Sequence, residues 1–141
     1  MTDHDKRERI EALKLEISMI RDGRYNPSVH DPHREPRFFR DSITCLNVGL
    51  EEKKEPCSKC FLDQFVPPEH RDQEIACHYI PLNDRKETIA LLEKTGDRDR
   101  LEAALLTWLY NTVARLEKEL GQSQDSAQRA GPQSVPRPNV A

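Results

Sequence analysis

Several things are scarce in this sequence. No apolar run approaches the roughly 18 residues that a membrane helix needs, so a spanning helix is not expected. Hydrophobic residues make up only 35% of the 141, and mean hydropathy is -0.83. The globular average is roughly 45–50% apolar, so one large buried core is not expected either. Basic excess is missing: 22 Lys and Arg stand against 25 Asp and Glu. That balance disfavours a protein that neutralises a phosphate backbone. Five glycines leave little material for phosphate-cradling loops. No P-loop, dinucleotide fingerprint, His-Glu-x-x-His or Gly-x-Ser-x-Gly is present. The start, MTDHDKRERI, has no apolar stretch of the secretory type, and a cytoplasmic protein is expected. No acid, base and nucleophile converge by spacing, so an enzyme is not expected.

What is present falls into four parts. In residues 1–22, Ile10, Leu13, Ile17 and Ile20 recur at spacings of 3, 4 and 3. That is one stripe of an amphipathic helix or a short coiled-coil seam. Thr2 suits its N-cap and Gly23 its C-terminal stop. Residues 23–82 hold all four cysteines and seven of the ten prolines. Proline at this density breaks helices and excludes central strands, leaving 42–48 and 74–80 as short strand candidates. Residues 83–120 return to helical periodicity, with Asn83 as a candidate N-cap and a break near Gly96 and Asp97. Leu106, Leu109, Val113, Leu116 and Leu120 form one stripe there. Leu101, Leu105, Trp108 and Thr112 widen it. Residues 121–141 are rich in Gln, Ser and Pro and read as a disordered tail.

The chemistry lies in the cysteines: Cys45, Cys57, Cys60 and Cys77, with His78 directly after the last. The Cys57-x2-Cys60 pair lets two thiolates converge through a tight turn, and Pro56 suits such a knuckle. Pairing of the two strand candidates would bring Cys45 and Cys77 alongside. Four thiolates then make a closed tetrahedral zinc site that folds a small module. An iron–sulfur cluster on the same four cysteines is the alternative, although the usual ferredoxin spacings are absent. The sixteen-residue gap from Cys60 to Cys77 is similar to a zinc-ribbon or treble-clef variant. Neighbours in a strand face opposite ways, so Cys77 is read as the ligand and His78 as a supporting group or alternative ligand.

Other residues carry bland readings beside functional ones. His30 and His33 sit in a polar turn, as does His70, and none has a further ligand cluster nearby. Arg34, Arg37 and Arg40 flank Phe38 and Phe39, a pattern that can grip phosphates and stack bases. The simpler expectation buries the rings and pairs the arginines with Glu35 and Asp41. Trp108 is read as helix core rather than an interface anchor.

The expected fold is therefore mainly α with a small irregular or β metal-binding module. Antiparallel helical arms flank a four-cysteine zinc-ribbon-like insert. The wide face around residues 101–109 calls for a further partner, which a homodimer or another protein would supply. The expected function is that of a small zinc-binding adaptor or regulator acting through protein contacts. An iron–sulfur redox or sensor protein is second, and a nucleic-acid-binding regulator third.

Overall fold

The computed structural model describes residues 2–27, 29–30 and 36–130, apart from the side chains of 122–130. Helix α1 spans Asp3–Arg21. Its start is a capping box. The Thr2 hydroxyl accepts from Asp5 N–H at 3.1 Å, and the Asp5 carboxylate accepts from Thr2 N–H at 3.4 Å. These bonds hold the Asp5 carboxyl below its usual range. The helix ends in a Schellman turn: Gly23 N–H reaches Ile20 O at 3.2 Å, and Arg24 N–H reaches Met19 O at 2.9 Å. That turn requires the left-handed φ of +75° at Gly23.

A short helix α2, Ile89–Glu93, and a long one, α3, Arg98–Ala130, complete the regular structure. Asn83 does not cap α2. Its carboxamide instead accepts from Arg85 and Glu87 N–H and closes a separate turn, while Thr88 caps the helix by accepting from Leu91 N–H. Gly96, at φ +77°, stops α2. Asp97 restarts the chain, its carboxylate accepting from Arg100 N–H at 3.0 Å. α3 does not end at residue 120 but continues to Ala130. The remainder of the expected tail, 131–141, lies outside the described residues.

α1 and α3 pack antiparallel. Lys6 meets Glu119, Lys14 meets Glu117, and the Arg21 guanidinium donates to Tyr110 at 2.8 Å, so one register falls as the other rises. The stripe of Ile10, Leu13, Ile17 and Ile20 is buried against Leu105, Leu109, Val113 and Leu116. Each such side chain, fully buried, contributes about 1.5–3 kcal/mol. On the wide face of α3, Leu101, Leu105, Leu109 and Thr112 are buried within the chain, and Leu106 and Trp108 are half-buried. Phe65 of the proline-rich segment sets its ring edge-on against Trp108, with centroids 5.2 Å apart, and Arg115 lies over the same ring.

The segment from 36 to 82 is a series of turns. Neither strand candidate forms, and there is no strand among the described residues. Ser42–Val48 closes on itself instead, with Cys45 N–H on Ser42 O and Val48 N–H on Cys45 O. Ala76–Tyr79 is a single 3₁₀ turn. Ile43 and Val48, whose β-branched side chains suggested a strand, are exposed. With no extended segment among the described residues to complete a ladder, local bonds between residues three apart satisfy the backbone. The β framework of a zinc ribbon is therefore absent from the described residues.

Candidate metal centre

The four cysteines ride on three separate turns. Cys57 opens a 3₁₀ turn, Cys57–Lys59, and Cys60 closes it, its backbone N–H donating to Cys57 O at 2.9 Å. This is the tight knuckle expected of the spacing. Cys45 sits on the 42–48 turns, and Cys77 on the 3₁₀ turn Ala76–Tyr79.

All four cysteines line one cavity, together with Phe39, Leu62, Val66, Ile75 and Ala76 among others. The cavity measures about 30 Å³ in the space open to the centre of a water molecule. None of the four thiols is in a disulfide, and all are partly buried. Burial pushes the Cys60 and Cys77 thiols upward, and the neighbouring cysteines add to the effect at both. Among the described residues, no three His, Cys, Asp or Glu side chains converge closely enough to share one metal ion.

Polar groups reach the sulfurs from several sides. Asn47 N–H donates to Cys45 Sγ at 3.4 Å, and Leu62 N–H to Cys60 Sγ at 3.5 Å. Lys53 Nζ lies 3.8 Å from Cys57 Sγ.

His78 parts company with Cys77, though not through strand alternation. It is buried, and its Nε2 meets Phe38 O at 2.7 Å, with Nδ1 3.8 Å from Glu93. It does not line the cysteine cavity. Desolvation pushes its pKa below the ordinary value, which suits a neutral ring donating from Nε2.

The two described arginines of the segment, Arg37 and Arg40, do not form a basic face. Arg40 is 5% exposed and donates to Asn47 O and Leu50 O, each at 2.6 Å. It staples the Cys45 loop from inside. Arg37 is held by Asp41 in a two-pronged pair, at 3.0 and 2.9 Å. Phe38 and Phe39 are buried, not stacked in the open. Arg34 and His33 lie outside the described residues, and His30 is exposed. His70 stacks on Tyr79 with centroids 4.8 Å apart.

Three residues that the sequence reading passed over organise this region. Glu16 is fully buried and accepts from Tyr25 at 2.5 Å, from Thr44 at 2.6 Å and from Ser42. Tyr25 in turn accepts from Phe39 N–H at 3.2 Å. Phe39 holds a left-handed φ of +63°, which costs a non-glycine residue about 1–3 kcal/mol. Arg98 donates to Tyr25 O at 2.7 Å and lays its guanidinium 4.6 Å from the Phe38 centroid. Glu16 was legible in one respect: it falls three residues after Leu13 and four before Ile20, on the apolar stripe itself.

Compared with family models, curated proteins and solved structures, the chain matches none.

Proposed function

We propose that Cys45, Cys57, Cys60 and Cys77 hold an iron–sulfur cluster, and that the protein is a small redox or sensor protein rather than an enzyme. One observation carries this reading. Four thiols ring a single small cavity, yet no three of them are close enough to grip one ion. In a cluster each thiolate meets its own iron or shares one with a single other thiolate, so the sulfurs stand apart around a body of finite size. A single zinc needs all four sulfurs at about 2.3 Å from one point, which leaves no free space between them. The donor set also fits in kind, since iron–sulfur clusters are held by cysteine thiolates. Bound there, a cluster supplies one-electron chemistry. The chain's part is to hold the thiolates, exclude water with Phe39, Leu62 and Val66, and donate N–H groups to the sulfurs. Unpaired thiols accord with a reducing compartment such as the cytoplasm.

The test is metal, acid-labile sulfide and visible absorption on the full chain purified without oxygen. Iron with sulfide and a brown colour, lost in each single Cys→Ser variant, is the expected result. One zinc per chain without colour would replace this reading with a structural zinc site and an adaptor role. Neither metal would mean that the four cysteines are not a metal site.

A further inference from the structure

Lys53 stands at the mouth of the cysteine cavity and lines it. Its ammonium is shared among Cys57 Sγ at 3.8 Å, Gln73 O at 3.5 Å and Glu74 O at 3.3 Å. Those carbonyls lie just before the turn that carries Cys77. One cation therefore ties the segment bearing Cys57 to the segment bearing Cys77. Its neighbours behave differently: Lys54 is exposed, and Lys59 is exposed and pairs with Glu55 at 3.4 Å. Lys53 alone of the three is half-buried, and its ammonium donates to a sulfur and two carbonyls.

Four thiolates concentrate negative charge in a partly buried, apolar place. Cys45 and Cys60 receive neutral backbone N–H donors. Cys57 receives a full positive charge. Charge-assisted bonds of this kind are roughly twice as strong as neutral ones. Hydrogen bonds to the sulfurs and net charge are what set the reduction potential of an iron–sulfur cluster. The reduced cluster carries one more negative charge than the oxidised one. A cation fixed beside a ligand sulfur stabilises the reduced form more, which raises the potential.

We propose that Lys53 is a positioning residue of the cysteine site, which clamps the Cys57 and Cys77 segments together and raises the reduction potential of the cluster they hold. This rests on the iron–sulfur reading of the four cysteines.

The experiment compares the full-length wild type with Lys53→Gln and Lys53→Arg, each reconstituted with ferrous iron and sulfide without oxygen. Midpoint potential is measured by dithionite titration with mediator dyes. Bleaching by a chelator is followed on the same samples. In Lys53→Gln the potential falls and bleaching is faster. In Lys53→Arg, which keeps the charge, the potential stays near that of the wild type. A loaded Lys53→Gln with the wild-type potential overturns the proposal, because a clamp without an electrostatic role would change only the bleaching rate. If Lys53→Gln does not load, Lys53→Arg decides: loading at the wild-type potential supports a role for the charge, and failure to load overturns it. A wild type that takes up no iron overturns the iron–sulfur reading itself, and is told apart because it is read before any variant is compared.

Discussion

Glu16→Ala is the substitution that most directly tests how the turn-rich segment is held to the helices. The carboxylate is fully buried on α1, and it accepts from Tyr25, Ser42 and Thr44. Truncation leaves those hydroxyls without their acceptor. Thr44 can turn to Ser42, 3.0 Å away, so two donors carry most of the loss. A buried polar group left unpaired costs about 1–3 kcal/mol. Against this, removing a buried carboxylate relieves its desolvation. The net expectation is a loss of about 3 kcal/mol, from two hydroxyls left without an acceptor at about 1–3 kcal/mol each, less the desolvation relieved. With a urea slope of about 2 kcal/mol/M, the midpoint drops by roughly 1.5 M while the slope is unchanged. Glu16→Gln keeps the shape and one acceptor oxygen. Its amide must face the Tyr25 hydroxyl, which already accepts from Phe39. It should cost about 1–2 kcal/mol, between wild type and Glu16→Ala. Tyr25→Phe introduced into Glu16→Ala should cost less than Tyr25→Phe in the wild type, since the hydroxyl has already lost its acceptor. The measurement is equilibrium urea unfolding followed by far-UV circular dichroism. A Glu16→Ala loss within about 0.5 kcal/mol of zero would refute the reasoning, because that is what an unconnected surface site shows.

Two further predictions concern single residues. Burial first, and the Glu16 carboxylate second, push the Tyr25 phenol far above its ordinary value of about 10. Above that pH the unfolded chain releases the proton and the folded chain keeps it. The unfolded state then binds fewer protons, and stability falls by about 1.4 kcal/mol per pH unit. Tyr25→Phe should remove that part of the alkaline slope in urea midpoints measured against pH, and an identical slope in both proteins would count against it. Gly23→Ala should lower the thermal midpoint, because its φ of +75° costs an L side chain about 1–2 kcal/mol. The new Cβ would also lie 2.9 Å from Asn26 Nδ2, whereas Gly49, at φ +79°, has nothing within 4 Å. Gly23→Ala should therefore cost at least as much as Gly49→Ala, and the reverse order would show that the Schellman turn is not what stops α1.

Local signals in the sequence determined helix α1. The stripe of Ile10, Leu13, Ile17 and Ile20 is the buried face of α1, and Thr2 and Gly23 are its caps. Periodicity and capping act over a few residues, so they can be read without knowing the fold. The Cys57-x2-Cys60 knuckle is local in the same sense. The irregular segment was another matter. Residues 42–48 and 74–80 are the strand candidates once proline excludes the rest, but a strand exists only if another strand accepts its bonds. From the sequence, Arg40 is expected to pair with Glu35 or Asp41 beside two buried rings. Only the closure of the 47–50 loop onto its guanidinium decided that it is buried. Glu16 interrupts an apolar stripe, and its acceptors' worth depends on Ser42 and Thr44, which lie 26 and 28 residues away. The same holds for the cysteines. Their types and number were written in the sequence, whereas their gathering around one cavity depends on how three separate turns pack together.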